Sequence, residues 1–285
     1  MAALQIHGTE AEISAAFLVD RIIDLHESIS KLETLRPCKK VNNLFTNLVT
    51  LCILPCSIDV STLPPNLQVI RESLIILCGQ AEGLLELEFS TLLSKIPKPL
   101  NNLTLFPYYQ NYIKLANLEN KILNDNGIVN PKKVAFVGSG PLPLTSIIMA
   151  MQHMKGTHFD NYDVDSVAND VARKIVGSDS DLEGRMKFCS SDIVDVKEEL
   201  GGYDCVFLAA LVGMNKEEKV KIIRHLRKYM KEGGILLVRS AKGGRAFLYP
   251  VVEVEDLVGF EILSIFHPTD DVVNSVILTR KLAYD

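Results

Sequence analysis

The chain has 285 residues with 47% apolar and 23% charged side chains, the makeup of a globular protein with a sizeable core rather than a collagen-like, low-complexity or disordered chain. A net charge of −5 argues against nucleic-acid binding driven by overall charge, and six cysteines spread over this length suit a reducing compartment rather than a disulfide framework. The first residues, MAALQIHGTEAEIS, carry no basic stretch followed by an apolar one. The longest apolar run, Leu48 to Cys56, is broken by Thr50 and Pro55. Neither a secretory signal nor a membrane span is expected, and the cytoplasm is the expected location.

The first ~125 residues read at helical spacing. Thr9 and Glu12 fit a capping box, after which Leu18, Ile22, Leu25, Ile29 and Leu32 recur at alternating steps of four and three. Val41, Leu44, Phe45, Leu48 and Cys52 predict a second helix that Pro55 ends. A third pattern covers Leu67 to Ile96 and stops at Pro97, and a fourth helix is expected from Pro107 toward Gly127. These segments predict a helical domain over residues 1–128.

After Asn130-Pro131 the period changes. Short apolar runs at Val134–Val137, His158–Tyr162, Arg185–Cys189, Cys205–Ala209, Ile235–Arg239, Glu261–Phe266 and Ser275–Thr279 alternate with helical stretches. Only a loop separates the last two, so they are expected to pair as an antiparallel hairpin. Residues 129–285 therefore predict an α/β domain: a doubly wound, Rossmann-like sheet of the pattern found in class I S-adenosylmethionine methyltransferases.

Val134-Ala-Phe-Val-Gly-Ser-Gly-Pro-Leu-Pro-Leu-Thr-Ser146 reads as strand, glycine-rich turn and helix start. Gly138, Ser139 and Gly140 allow close backbone approach to a ligand, and the amides at the helix start favour a polar or anionic group. Asp163 follows Gly140 by 23 positions, near the spacing of an acid that accepts hydrogen bonds from ribose, with Asp165 just beyond. Asp192 after the third strand, with Ala209 and Leu211 after the fourth, lies at the same sheet edge. The missing third glycine and the terminal hairpin favour S-adenosylmethionine over a dinucleotide.

The third helix has a seam of Ile75, Cys78, Glu82, Leu85, Phe89 and Leu92, on which Glu82 is the only charge. A carboxylate on an apolar stripe must pair, find water or hold a proton, and desolvation lifts its pKa toward that of a general base. Structural use as a paired core acid stays open. Tyr108, Tyr109 and Tyr112 offer phenols that can close a pocket and still hydrogen-bond a substrate. Arg239 and Arg245, just past the fifth strand, are candidates for a substrate carboxylate. Cys52 and Cys56 lack partners for a zinc site, and the histidines suggest no metal centre.

These segments together resemble the plant nicotianamine synthase family. The matching stretches are Ile29-Ser-Lys-Leu32, Cys78-Gly79 through Glu86, Leu105-Phe-Pro-Tyr-Tyr109, Phe136 through Ser146, Val206 through Met214, Arg239-Ser-Ala241, Arg245-Ala-Phe-Leu-Tyr-Pro250 and His267-Pro-Thr-Asp270. The resemblance implies transfer of the 3-amino-3-carboxypropyl group of S-adenosylmethionine rather than its methyl group. Three such units condense to nicotianamine, a metal chelator tied to iron homeostasis, with release of methylthioadenosine. It further implies a helical lid supplying a catalytic Glu and Tyr, which fall on Glu82 and Tyr108, with no metal and no cofactor beyond the substrate itself. The chain departs from the family at Gln80, at Glu88-Phe89 and at Lys242-Gly243-Gly244. An ordinary methyltransferase and an inactive S-adenosylmethionine-binding paralogue remain the competing readings.

Overall fold

Ser14 accepts a hydrogen bond from the Phe17 amide at 3.2 Å and so opens the first helix of the computed structural model, which describes residues 12–283. Thr9 of the expected capping box lies outside those residues. Helix α1 (Ala15–Ser30) buries Leu18, Ile22, Leu25 and Ile29, the stripe its spacing predicts. Helix α2 (Lys39–Ile53) ends two residues before Pro55, and α3 (Pro65–Leu93) runs for 29 residues.

Helix α4 (Tyr109–Asp125) starts two residues later than Pro107 predicts. A tight turn, in which the Phe106 amide meets the Leu103 carbonyl and the Tyr109 amide meets the Phe106 carbonyl (both 3.0 Å), delays its start. Tyr108 is therefore the flanking residue, at φ −101° and ψ 13°, and Tyr112 alone of that pair is carried on the helix.

The second half of the chain builds one sheet of seven strands in the order β3-β2-β1-β4-β5-β7-β6. Strands β1 (Lys133–Val137), β2 (His158–Asp163), β3 (Met186–Ser190), β4 (Cys205–Leu208) and β5 (Ile235–Ser240) run parallel. The last two, β6 (Phe260–Phe266) and β7 (Ser275–Lys281), pair antiparallel, and β7 inserts between β5 and β6. Every residue of β5 is buried, as expected of a strand covered on both faces, which is why it reads as an unbroken apolar run. Crossovers α5 (Leu144–Ile148), α6 (Ser166–Val176), α7 (Ser180–Arg185) and α8 (Lys216–Tyr229) connect the parallel strands. No helix among the described residues is long and apolar enough to cross a membrane.

Packing crosses the sequence division near residue 128. Leu115, Ala116, Ile122 and Leu123 of α4 share a core with Phe136, Leu237 and Val276 of the sheet. Conversely, Phe247 and Leu248, from the loop after β5, pack among α1, α2 and α3. A Cβ on Gly244 would lie 2.7 Å from the Cys52 carbonyl oxygen, so the Lys242-Gly243-Gly244 loop lets α2 rest directly on it. These contacts hold α3 across the carboxyl ends of β1, β2, β4 and β5, where open α/β sheets bind ligands.

Candidate active site

Between α3 and that sheet edge lies a cavity of about 1170 Å³, lined by the Cys78–Leu87 segment, the 136–145 loop, Asp163, Asp192 and the Ala209–Met214 loop. On its sheet side the backbone does most of the work. Gly138 has φ 81°, and a Cβ there would stand 2.2 Å from Val212. Gly140 has φ 65° and donates its amide to Asp163 Oδ2 at 2.8 Å, while Asp163 Oδ1 accepts the Asp165 amide at 3.0 Å. Asp163 thus shapes the glycine loop as well as facing the cavity. A carboxylate has roughly four lone-pair sites, which leaves acceptor capacity for ribose hydroxyls.

The other expected residues on this side also line the cavity: Ser139, Asp165, Asp192, Ala209 and Leu211. Asp165 caps α6 through the Val167 amide at 2.8 Å, and Asp192 accepts the Val194 amide at 3.1 Å. The Ser139 hydroxyl is buried without a hydrogen-bond partner. Beneath the β4 loop, the buried Lys219 amine donates to the Ala209 and Ala210 carbonyls at 3.1 and 2.8 Å. Burial away from water lowers its pKa to about 7.

The helical side holds a cluster that spacing reveals only in part. Glu82 has a neighbour off its seam: Glu86, one turn on, is buried and faces the same cavity. The Tyr112 phenol donates to Glu86 Oε1 at 2.7 Å and lies 3.3 Å from Glu82 Oε1. The Tyr249 phenol donates to Glu82 Oε2 at 2.9 Å. Both oxygens of Glu82 are thereby engaged. Among the described residues no hydrogen bond is made to Glu86 Oε2, which faces Gly140 so closely that a Cβ there would lie 2.9 Å from it.

Burial pushes both carboxyls up. For Glu82 the phenols of Tyr249 and Tyr112 pull the other way, and for Glu86 the Glu82 charge adds to burial and the value reaches about 8. Burial and the adjoining carboxylates also push the Tyr112 and Tyr249 phenols well up, so both remain donors. Tyr108 lines the cavity and hydrogen-bonds Thr46 rather than either glutamate.

Of the lower-ranked candidates, Arg239 lines the cavity, but Glu119 takes its guanidinium at 2.7 and 3.0 Å, with Thr145 at 2.8 Å. Arg245 instead holds the loop between β6 and β7 through the Val272 and Asp270 carbonyls at 3.2 and 2.5 Å, so it is a structural cation outside the cavity. Tyr109 likewise stays outside the cavity lining, because its ring packs into the core under α4. Glu86 lies four residues after Glu82 but off the stripe's alternating steps, which pass through Leu85, so the spacing missed it. Tyr249 sits in an aperiodic loop and Glu119 within a polar helix, so neither gave a signal.

The strand order, the glycine loop at the first crossover and the acid after β2 define a Rossmann-like fold of the class I S-adenosylmethionine methyltransferase type. The crystal structure of MtNAS in complex with MTA and tNA superposes with a TM-score of 0.74 at 20% identity, covering 93% of this chain and 97% of that one. A Glu-to-Gln mutant of MtNAS in complex with S-adenosylmethionine superposes equally well. The nicotianamine synthase family model matches residues 10–284, and the chain belongs to that family. It is 55% identical over 272 residues to the probable nicotianamine synthase 4 of Arabidopsis thaliana, covering 94% of this chain and 84% of the relative. The nicotianamine synthase of Solanum lycopersicum is 56% identical over 265 residues, with 93% and 84% covered.

Proposed function

We propose that this chain is a nicotianamine synthase that condenses three S-adenosylmethionine molecules by aminocarboxypropyl transfer and releases methylthioadenosine at each step. The observation that carries the reading is the phenol-bridged carboxylate pair facing the glycine loop across one large cavity. That cavity exceeds the ~300–1,000 Å³ of an ordinary small-molecule site, in keeping with a donor and an amine acceptor bound together.

Each transfer needs an acceptor amine without its extra proton, aimed at the carbon γ to the donor's carboxyl-bearing centre. Spacing singled out Glu82 for this chemistry, and the family resemblance added Tyr108. The geometry favours Glu86 as the proton acceptor and Tyr112 as the phenol that orients it, because Glu86 alone keeps an oxygen open beside Gly140. Gly138, Gly140, Asp163 and Asp192 are the proposed nucleoside contacts, with ribose at Asp163 and adenine near Asp192. Holding both reactants in one chamber supplies the proximity the reaction needs.

The same reading takes the product to be a metal chelator for iron homeostasis and needs no metal in the enzyme. Among the described residues no three His, Cys, Asp or Glu side chains are grouped to hold one. Six free cysteines favour a cytoplasmic setting.

Incubation of the purified protein with S-adenosylmethionine alone tests the proposal. Mass spectrometry should find nicotianamine and methylthioadenosine in a one-to-three ratio, with deuterium on the S-methyl group retained wholly in the methylthioadenosine. S-adenosylhomocysteine as the nucleoside product would establish a methyltransferase instead, and binding without turnover an inactive paralogue.

A further inference from the structure

Four side chains from α3, α4 and the loop after β5 form one hydrogen-bonded line: Glu86, Tyr112, Glu82 and Tyr249, at 2.7, 3.3 and 2.9 Å. No cation among the described residues pairs with either carboxylate. Against the rise that burial gives both carboxylates, the charge of Arg239 reaches them and draws their pKa values down, but its guanidinium is already paired with Glu119. The remaining titratable groups that face the pair are Cys78 on α3, Tyr108 before α4 and Asp163 at the end of β2, and none of them brings a positive charge. Two carboxylates one helical turn apart, bridged by a single phenol, cannot titrate independently. With both ionised and the cavity empty, the site would hold two uncompensated negative charges in a poorly solvated place.

Building on the proposed reaction, we propose that Glu82 and Glu86, joined through Tyr112, form one two-proton site that empties to admit a cationic substrate and takes back a proton at each transfer. The charges of that reaction match such a site. A bound donor carries one net positive charge, its sulfonium, since its ammonium and carboxylate cancel. A second S-adenosylmethionine as first acceptor carries the same, so two net positive charges face the ionised pair. In the transfer the acceptor ammonium gives one proton to Glu86. The freed nitrogen lone pair then forms the bond to the γ-carbon as the carbon–sulfur bond breaks, and that electron pair leaves on neutral methylthioadenosine. The ligands fall from two positive charges to one, and the pair falls from two negative charges to one. Tyr112 can accept the proton from Glu86 while passing its own to Glu82, which returns Glu86 to the ionised form for the next amine.

Calorimetric titration of the full-length protein in buffers of different ionisation heat tests this directly. At pH 7, S-adenosylmethionine should bind with release of protons, and methylthioadenosine, which is uncharged, should bind with none. Since burial holds Glu86 near pH 8, the release should fade toward pH 10, where the empty site is already ionised. Glu82→Gln and Glu86→Gln should each diminish the release while keeping methylthioadenosine affinity, which reports an intact fold. Absence of proton release in the wild type at pH 7, or undiminished release in either variant, overturns the two-proton site. Failure of the wild type to bind either nucleoside overturns the proposed reaction, and this inference with it.

Discussion

The two walls of the cavity are built on different principles. The sheet wall acts through backbone: glycines at positive φ, with the Gly138 and Ser139 amides held by the Tyr162 carbonyl and the Gly140 amide by Asp163, 23 positions on. The helical wall acts through side chains. Its hydrogen bonds join Glu82 to Tyr112 across 30 positions and to Tyr249 across 167. The comparison teaches that the nucleoside half of this site is a local property of the chain, whereas the half that handles the acceptor's proton exists only once the tertiary fold has formed.

The largest test of that contrast lies on the helical wall. Glu86→Gln keeps shape and hydrogen bonding to Tyr112 but removes the base, so turnover should fall by ~10²–10⁴-fold. Glu82→Gln should cost less, because both oxygens of Glu82 are occupied by phenols and its part is to tune its neighbour. Steady-state rates with S-adenosylmethionine as sole substrate decide between the two. A Glu82→Gln variant slower than Glu86→Gln would return the base to Glu82, the position that spacing singled out.

How far the sequence reached follows the same contrast. All seven strands were legible within a residue or two: the parallel β1 and β4 most plainly, because burial on both faces demands an apolar run, and the antiparallel β6 and β7 because only a loop separates them. The glycine loop and Asp163 were legible because their spacing is a consequence of one strand-turn-helix unit. The carboxylate on α3 was legible as a flaw in an apolar stripe. Its alternating steps of three and four pass through Leu85, however, and so step over Glu86. Arg239 was placed at the right edge of the sheet, but its partner Glu119 lies 120 positions earlier in α4, and no local pattern could pair them. Arg245 was misread because an arginine beside a ligand and one that ties backbone carbonyls look identical in sequence.

The buried Arg239–Glu119 pair joins the walls and offers the next test. Glu119 is fully buried and Arg239 nearly so, and Arg239 also lies over the Phe136 ring at 5.3 Å. Removing one partner leaves the other charged in the core, so Glu119→Gln should lower unfolding stability by about 3–5 kcal/mol. Denaturant titration measures it. A loss this large would measure the cost of leaving Arg239 charged and unpaired in the core, and a loss near zero would mean that a neutral partner and Thr145 satisfy its guanidinium.

On the sheet wall, Asp163→Ala should weaken S-adenosylmethionine binding by about ten- to a hundredfold, the span for a lost hydrogen bond to a charged group. Because Asp163 also holds the Gly140 amide at 2.8 Å, methylthioadenosine should weaken in step with the donor. Calorimetry with both nucleosides distinguishes a nucleoside contact from one to the amino-acid end, for which only the donor would suffer.

The smallest effect concerns Lys219, which supports the sheet wall from below. Its folded pKa is lowered to about 7 by burial, against 10.5 for an ordinary lysine, so the unfolded chain binds more protons between those limits. Stability rises with pH wherever the unfolded state holds more protons, so this group's contribution grows as pH climbs from 7 toward 10 and is lost as pH falls through 7. Glu86 has the opposite sign. Its folded pKa of about 8 lies above the 4.5 of an ordinary glutamate, so its contribution is present at low pH and is lost as pH rises through 8. Lys219→Met removes the rising term while filling much the same volume, at the expense of the hydrogen bonds to Ala209 and Ala210. The variant's melting temperature should therefore rise less, or fall more, than the wild type's between pH 7 and pH 9.5, where Lys219 is neutral in the fold and still charged in the unfolded chain. Parallel pH curves for the two proteins would mean that Lys219 keeps an ordinary pKa and that water reaches the space beneath the β4 loop.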